Sequence, residues 1–333
     1  MSLITINKEQ KTPIYKQIIE SVEDGILNEE LKKGDRLPSI NSIRNKYNVS
    51  RDTVLLAYSE LKIRGIVQSI IGKGYYIKSN NVQTHKKVFL LFDELNVFKE
   101  DLYTSFLGSI DKDNVQVDIY FHNFNYDVFS KLVYDNIGYY DYYVLMPANL
   151  KNIKVVIDKL PKEKVYILDQ INNDLIGYNA IYQSFKEDVF NGLENALQLL
   201  KKYNSLTLVF EKVKQPEGMV EGFKEFCNTY HFPYKIINSA SEATLKKGEV
   251  YVIPDNRNLV SVIKKIRELN FSIGKDVGII AYNDSLIKDI LEGGITTITT
   301  NFTKMGKRLA EMISNKEHVS EKNESTLIIR KSI

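Results

Sequence analysis

With 333 residues, of which 43% are hydrophobic and 26% charged, the chain has the composition of a globular protein of two or three domains. Its single cysteine, Cys227, excludes an internal disulfide framework, and its apolar runs are too short to span a membrane. The N-terminus lacks the pattern of a secretory signal. We therefore expect a cytoplasmic protein with no membrane partner.

The net charge of +3 is unevenly distributed along the chain. Residues 1–30 carry three Lys and six acidic residues, residues 31–79 carry ten Lys and Arg against three acidic residues, and residues 80–333 are nearly balanced. A local excess of positive charge is typical of a surface that faces phosphate groups. A solvated basic face explains it equally well, so charge alone leaves both interpretations open.

The first 79 residues begin with three predicted helices. Thr12 is placed to cap the first helix and Pro13 to begin it, because Thr accepts hydrogen bonds from free N–H groups and Pro loses no hydrogen bond there. Ser39 and Ser50 are placed to cap the second and third helices, and Gly65 can end the third. Each helix carries an apolar stripe: Ile14, Ile18, Val22 and Ile26; Ile40, Ile43 and Tyr47; Val54, Ala57, Tyr58 and Leu61.

After Gly65 the apolar period changes from helical to strand-like. Residues 66–70 and 75–78 are predicted strands, and the glycine-rich turn at 71–74 joins them into a β-hairpin. Three helices with a short turn between the second and third, followed by a hairpin, predict a winged helix-turn-helix. In that fold the third helix enters the major groove of DNA with its N-terminus first.

Residues 34–77, GDRLPSINSIRNKYNVSRDTVLLAYSELKIRGIVQSIIGKGYYI, hold a run of landmarks in one frame: Gly34, Leu37-Pro38-Ser39, Val49-Ser50-Arg51, Thr53-Val54, Leu61, Gly65 and Gly72-x-Gly74. They resemble the DNA-binding domain of GntR-type regulators, and the match covers essentially residues 10–79. The resemblance implies that operator double-stranded DNA is bound by Ser39, Asn41, Ser50, Arg51, Asp52, Thr53, Gly72 and Lys73.

Physical chemistry supports this set. Ser50 and Thr53 lie where hydroxyl and free N–H groups can hold a phosphate, and Arg51 can reach guanine O6 and N7. Each residue alone is equally well explained as a capping or surface residue, so the common frame is what favours DNA contact. The chain departs from the family at Asn41 and Leu55, where members often carry Arg. This departure implies weaker phosphate anchoring.

Residues 79–85 are polar and without pattern, so we expect a DNA-binding domain at 1–79, a linker at 80–86 and a second domain at 87–333. In the second domain strand-like runs alternate with helical ones, which is typical of an α/β fold with parallel sheets covered on both faces. The predicted strands are 87–92, 115–121, 142–146, 165–168, 206–210, 249–253 and 277–281. The predicted helices include 188–203, 218–229, 259–269 and 303–313.

The last third, VGIIAYNDSLIKDILEGGITTITTNFTKMGKRLAEMI, holds Ala281-Tyr282-Asn283-Asp284, then Thr296-Thr297-Ile298, then a helix with Gly306. This order resembles the end of the effector domain in LacI-type repressors, and residues 250–256 resemble the strand and turn before it. The resemblance covers residues 86–333 and is diffuse before about residue 245. It implies a two-lobed, periplasmic-binding-protein-like domain with two doubly wound, mainly parallel sheets, one lobe holding 87–184 and 300–316 and the other 185–299 and 317–333.

Residues just after the predicted strands are candidate ligand contacts, because open α/β sheets bind ligands at the carboxyl ends of their strands. The resemblance places Asp255 and Asn283 where relatives hold sugar hydroxyls, and Thr300 where Gln is frequent. A polar residue in such a place is also commonly a helix cap or turn residue. The candidates are Asp93, Glu94, Phe98, Asn149, Asp169, Gln170, Ser184, Phe185, Glu217, Asp255, Asn283 and Thr300.

The residue types of this set favour a neutral, polyhydroxylated ligand. Carboxylates and amides accept hydrogen bonds from vicinal hydroxyls. Residues 215–219 lack the Arg that the family often places there, so the cleft has no obvious cationic clamp for an anion. We expect a monosaccharide, either a pentose, a 6-deoxyhexose or a hexose. A purine or an amino acid is the alternative effector.

The chain offers little catalytic material. His85, His122, His231 and His318 are isolated, and the sequence contains no HExxH, GxxxxGK[ST] or G-x-S-x-G motif. A carboxylate pair such as Asp93 and Asp255 is the remaining argument for a cleft enzyme fused to a DNA-binding head. We expect no catalytic residue, no metal and no cofactor. The predicted protein is a homodimeric, ligand-responsive regulator that straddles a palindromic operator.

Overall fold

The structure, a computed structural model, describes residues 3–10, 12–80, 86–111 and 114–333. Residues 81–85, which make up most of the predicted linker, lie outside this range. None of the helices in the described part of the chain has the length and apolar character needed to span a lipid bilayer.

The N-terminal part, which we call the head, contains three helices and a hairpin, in agreement with the sequence. The hairpin strands are antiparallel, with Val67 opposite Ile77. All three helices contribute apolar side chains to one core, in which Tyr58 is fully buried and donates a hydrogen bond to Pro38 O at 2.7 Å. The elements are α1 (Ile14–Leu27), α2 (Ile40–Tyr47), α3 (Arg51–Ile63), β1 (Val67–Ile70) and β2 (Gly74–Ile77).

Two of the three predicted helix caps are present. Ser39 Oγ accepts a hydrogen bond from Ser42 N at 3.1 Å, and Ser50 Oγ accepts one from Thr53 N at 3.0 Å. The prediction for Thr12 is wrong, because Pro13 occupies the N-cap position of α1 and its side chain makes no capping hydrogen bond. Thr12 therefore lies one residue too early to reach the free N–H groups.

We call the part of the chain that follows the head, from residue 86 onward, the body. Its first lobe is built on a parallel sheet with the strand order β13-β7-β6-β5-β3-β4. Helix α12 packs directly on α4, and Gly306 makes this close approach possible, because a Cβ there would collide with Leu102 O. The strands are β3 (Lys86–Phe92), β4 (Val115–Phe121), β5 (Tyr142–Leu145), β6 (Val165–Asp169), β7 (Asn179–Tyr182) and β13 (Ser320–Lys322), and the helices are α4 (Val97–Ser109), α5 (Tyr126–Asp135), α6 (Lys154–Ile157) and α12 (Phe302–Ser314).

The second lobe has a sheet of the order β14-β12-β11-β10-β8-β9, parallel except for β14. Its core lies between this sheet and the packed pair α7 and α9, where Gly222 touches the backbone of Lys186. The strands are β8 (Ser205–Val209), β9 (Tyr234–Ile237), β10 (Glu249–Ile253), β11 (Gly278–Tyr282), β12 (Thr296–Thr300) and β14 (Ser325–Ile328), and the helices are α7 (Phe185–Asn195), α8 (Leu197–Leu200), α9 (Glu217–Thr229), α10 (Asn256–Glu268) and α11 (Leu286–Ile290). Mainly parallel sheets in two lobes confirm the predicted fold class.

The chain crosses between the lobes after β7, after β12 and after β13. The last crossing corrects one predicted boundary, which put residues 317–333 in the second lobe. Strand β13 pairs in parallel with β7, Ser320 opposite Ala180, so the chain stays in the first lobe up to Lys322. The strands that end at these crossings are β7 and β13 in the first sheet and β12 in the second. Each is parallel to its neighbouring strands in the same sheet, apart from β14, so the carboxyl ends of both sheets lie at the junction of the lobes.

Candidate DNA-binding face and inter-lobe cleft

The residues predicted for DNA contact lie at the starts of α2 and α3 and at the tip of the hairpin. All of them are exposed except Thr53, which is half-buried. We call this set the recognition face: Ser39, Asn41, Ser50, Arg51, Asp52, Thr53, Gly72 and Lys73. The hydroxyls of Ser50 and Thr53 lie 2.8 Å apart, so the cap is already occupied within the head.

The charged residues of the head fall into two groups. Arg64 forms ion pairs with Glu23 at 3.1 Å and with Glu60 at 2.9 Å, so its charge is used inside the head. Arg51 and Lys73 are exposed, and the fully exposed Ile71 lies beside Lys73 at the hairpin tip. A helix N-terminus next to an exposed cation is an arrangement that favours phosphate.

In the body the two lobes meet at the carboxyl ends of their strands, and we call this junction the inter-lobe cleft. Four contacts between side chains of the first lobe and groups of the second define it. They are Asn149 Nδ2 to Gln215 O at 2.7 Å, Gln183 Oε1 to Tyr282 OH at 3.3 Å, Glu94 to Lys214 Nζ at 3.8 Å, and the Phe98 ring to Lys288 Nζ at 5.4 Å from the ring centroid.

Amides and one carboxylate form a continuous chain of hydrogen bonds across the cleft. Gln170 Nε2 donates to Asn149 Oδ1 at 3.1 Å, and Asn149 in turn donates to Gln215 O. The side chain of Gln215 donates to Asp255 Oδ2 at 3.4 Å. The structure therefore brings three of the predicted residues, Asn149, Gln170 and Asp255, into one network.

Asp93 and Asp169 in the first lobe differ in their surroundings. Asp93 is buried and forms an ion pair with Lys99 on α4. Asp169 accepts a hydrogen bond from Gln183 Nε2, and burial raises the pKa of its carboxyl. Neither acid presents an unpaired charge to the cleft.

Asp255 and Asn283 differ in how fully they are used by the fold. Asp255 caps α10, with Oδ1 accepting from Asn258 N at 2.8 Å and Oδ2 accepting from Asn258 Nδ2 at 2.8 Å. Asn283 adopts a left-handed conformation with φ of 58°, and its N–H donates to Ile298 O at 2.8 Å. Its side-chain Oδ1 is buried and has no hydrogen-bond partner within the described structure.

Two other candidates are buried in contacts within the protein. Thr300 is buried, and its hydroxyl donates to Glu324 O at 2.9 Å and accepts from Asn323 Nδ2 at 2.7 Å, so it joins two crossing segments. Phe185 is buried in the core of the second lobe, where its ring lies 6.1 Å from that of Tyr282. Thr300 is the last residue of β12 and Phe185 the first residue of α7, and both side chains are packed inside the protein at these positions.

The remaining candidates lie at the edges of the cleft. Ser184 precedes α7, and its carbonyl accepts from Asp188 N at 2.8 Å. Glu217 is exposed in the first turn of α9, where a carboxylate is stabilised by the helix dipole. Glu94 reaches Lys214 across the cleft.

Three lysines line the cleft that the sequence did not indicate: Lys99, Lys214 and Lys288. The sequence showed no obvious cationic clamp for an anion, and the structure adds these three lysines, of which Lys99 and Lys214 are paired with carboxylates. Lys288 is almost fully buried, whereas its neighbours Leu286 and Ile287 are exposed. In an ordinary amphipathic helix the lysine would be exposed and the apolar residues buried. The sequence therefore gave no indication that Lys288 is buried at the cleft.

Two segments of the chain match known protein families. Residues 14–77 match bacterial regulatory proteins of the gntR family, and residues 204–333 match a periplasmic binding protein-like domain. The HTH-type transcriptional repressor YtrA of Bacillus subtilis (strain 168) is 34% identical over 100 residues, 30% of this chain and 73% of the repressor. The arabinose metabolism transcriptional repressor of Geobacillus stearothermophilus is 20% identical over 339 residues, 92% of each chain.

Solved structures share the fold of the body. A LacI family transcriptional regulator from Enterococcus faecium with bound ribose is 16% identical and has a TM-score of 0.59, and the match covers 74% of this chain and 98% of that regulator. At this level of identity the likeness concerns the fold alone.

A winged helix-turn-helix head followed by a two-lobed, periplasmic-binding-protein-like body defines a class of transcriptional regulators. The chain belongs to the gntR family of bacterial regulatory proteins, as its first 79 residues predicted. The body has the LacI-like fold that the last third of the sequence predicted. Both relatives are repressors by name, in agreement with a regulator rather than an enzyme.

Proposed function

We propose that the chain binds operator DNA as a homodimer through its recognition face and that a monosaccharide in the inter-lobe cleft changes its affinity for DNA. The observation that carries the sensing part is the hydrogen-bond chain from Gln170 through Asn149 and Gln215 to Asp255. A sugar entering the cleft can replace each of these bonds with one of its own hydroxyls, because amides both donate and accept.

The charge state of the cleft supports a neutral ligand. Asp93 and Glu94 are paired with lysines, and Asp169 lies in surroundings that favour its protonated form. An anionic ligand would have to break one of these ion pairs, or draw Lys288 away from the two backbone carbonyls that hold it, to find a cation. The arabinose metabolism repressor and the ribose-bound regulator are consistent with a sugar, and we propose a pentose as the first candidate.

The recognition face supports binding to the major groove. The N-terminus of α3 is exposed together with Arg51, and the hairpin tip presents Lys73. Winged heads bind DNA as pairs, so that two recognition helices reach successive half-sites of a palindrome.

An exposed apolar surface on α11 supports the homodimer. The side chains of Leu286, Ile287 and Ile290 are 89%, 67% and 77% exposed. Exposed apolar patches on a folded protein commonly mark protein interfaces. We propose that this α11 surface forms part of the contact between two copies of the body.

The test uses the full chain and labelled duplexes from upstream of its own and neighbouring genes. We expect binding that weakens steeply as salt increases, since phosphate contacts release counterions. Calorimetry with L-arabinose, D-ribose and D-glucose, and with a purine and an amino acid for comparison, then identifies the effector class. Absence of salt-dependent DNA binding would overturn the proposal that the chain is a DNA-binding regulator. Tighter binding of the purine or the amino acid would overturn the proposal that the effector is a sugar. Turnover of any bound compound would indicate an enzyme.

A further inference from the structure

Lys288 on α11 is a buried cation that is held by backbone oxygens. Its side chain is only 2% exposed, and its Nζ donates to Tyr282 O at 2.7 Å and to Asn283 O at 2.6 Å. The carboxylates that act on it electrostatically are engaged elsewhere. Asp284 is bound to Arg330 at 2.7 Å, and Asp255 caps α10. The ammonium therefore remains available for other interactions.

The two carbonyl bonds determine the conformation of Asn283. They hold the peptide groups on either side of its Cα, while its N–H is bound to Ile298 O. The left-handed backbone that results is accessible to Asn at low cost. This conformation leaves Asn283 Oδ1 at the carboxyl end of β11 without a partner in the described structure, as an acceptor ready for a donor.

The same ammonium also contacts the opposite lobe. Its Nζ lies 5.4 Å from the centroid of the Phe98 ring, which belongs to α4 of the first lobe. The Phe98 ring stacks on the ring of Phe302, the first residue of α12, with 5.8 Å between the ring centroids. This stacking helps to hold the Phe98 ring in place. Cation–π attraction is strengthened when the cation is removed from water, as it is here.

We infer that Lys288 is a positioning residue of the effector site, which orients Asn283 toward the sugar and at the same time joins the second lobe to Phe98 of the first. This inference rests on the proposed function and goes beyond it, because it assigns the coupling between ligand recognition and lobe closure to one side chain. The contact with the ring requires the protonated amine, and the two hydrogen bonds to the carbonyls are stronger when the donor is charged.

Protonation of Lys288 is sensitive to moderately alkaline pH. Burial lowers its pKa to about 8, an effect opposed by Asp284 and Asp255. On the facing helix α4, Lys99 follows Phe98 in the chain and is paired with Asp93. Between about pH 7 and about pH 9 the charged fraction falls about tenfold. Sugar affinity that depends on this charge should fall over the same interval.

The first test compares the full-length chain with Lys288→Met and Lys288→Arg, and uses Lys264→Met, an exposed lysine of the same lobe, as the control. Calorimetry with L-arabinose, D-ribose and D-glucose is run at about pH 7 and about pH 9. For the sugar that binds, we expect the unmodified chain and the control to lose affinity up to about tenfold at the higher pH. Lys288→Met should bind weakly at both pH values, and Lys288→Arg should retain binding at both. An unchanged affinity and pH profile in Lys288→Met would overturn the inference.

The second test needs no sugar, so the inference stays testable if none of the three sugars binds and the proposed function fails. Thermal unfolding is measured for Lys288→Met, Phe98→Leu and the double variant. Interacting side chains give non-additive effects. We expect the double variant to melt well above the temperature that the sum of the two single shifts predicts. Additive shifts would show that the two lobes are not joined through this pair.

Discussion

Arg51 combines three properties that suit a DNA contact: a charged side chain, an exposed position and a place in the first turn of α3. Replacing it with Ala should lower operator affinity by about 1–3 kcal/mol and reduce the salt dependence of binding. Sugar binding should not change, because the residue lies in the head. Fluorescence anisotropy with a labelled operator measures the first effect and calorimetry the second.

Lys62→Ala is the matched control for Arg51→Ala, since Lys62 is an exposed cation at the other end of α3. It should alter DNA affinity little. Equal losses in the two variants would mean that general positive charge, and not the recognition face, provides the binding energy.

Asp255 caps a helix, and we propose that it also binds the ligand. It caps α10 and accepts from Gln215. Asn is as good an N-cap as Asp, so Asp255→Asn should change stability by less than about 1 kcal/mol. A hydrogen bond from a sugar hydroxyl to a neutral amide is weaker than one to a carboxylate, and we expect sugar affinity to fall by about 1–2 kcal/mol.

Calorimetry and thermal unfolding of Asp255→Asn separate these two roles. Asp255→Ala serves as the comparison, because it loses the cap as well and should be destabilised by about 1 kcal/mol. If Asp255→Asn binds the sugar like the unmodified chain, Asp255 is a structural residue only, and the network of Gln170, Asn149 and Gln215 ends before it.

Residues that act through local geometry could be predicted from the sequence, and those that act through tertiary contacts could not. Ser39 and Ser50 cap their helices by accepting from the N–H group three residues later in the chain, and this spacing can be identified in the sequence. Lys99 and Lys288 are defined by partners that folding brings to them. Nothing in the local pattern of Lys288 distinguishes it from a surface lysine.

At the scale of elements, predictability followed the regularity of the apolar pattern. All seven strands predicted for the body lie within one residue of the observed bounds, whereas β7, β9, β12 and β14 were not predicted. Helix α4 was missed because it packs against both α12 and the sheet, so its apolar residues surround it instead of forming one stripe. Strand β13 was missed because its three residues, Ser320–Lys322, are polar and pair only through backbone.

The contact between α4 and α12 depends on the absence of a side chain at Gly306. Gly306→Ala would push a methyl group against Leu102 O, and overpacking of this kind costs about 1–3 kcal/mol. Gly108 is the matched control on α4, because a Cβ there meets nothing within 4 Å. Gly108→Ala should stabilise the chain by about 0.5–1 kcal/mol through helix propensity.

Thermal or urea-induced unfolding of both glycine variants measures the difference. The two changes are chemically identical and affect two helices of the same pair. If the two variants change the free energy of unfolding in opposite directions, the difference is due to the close contact between α12 and α4. A stabilised Gly306→Ala would mean that α12 and α4 lie further apart than the structure shows.

At the scale of the whole molecule, two sheets with facing carboxyl ends place the proposed ligand-binding residues between the lobes, while the head is attached at the start of β3 in the first lobe. A ligand that favours closure moves one lobe relative to the other, and in a dimer the two heads move with the first lobes. Coupling of this kind typically amounts to about 1–3 kcal/mol. The α11 surface lies in the second lobe, so it can hold two bodies together while the first lobes shift.

Substitution on the α11 surface tests this arrangement. Ile290→Glu would bury a charge in the proposed contact, so the dimer should dissociate and the operator affinity should fall, because the two half-sites are then no longer bound by linked heads. The control is Ile176→Glu, an equally exposed apolar residue of the first lobe, 73% against 77%. Sedimentation velocity gives the mass, and anisotropy gives DNA affinity. We expect a monomer for Ile290→Glu and a dimer for Ile176→Glu. A dimer in both variants would place the contact elsewhere on the body, and a monomer in the unmodified chain would contradict the proposed homodimer itself.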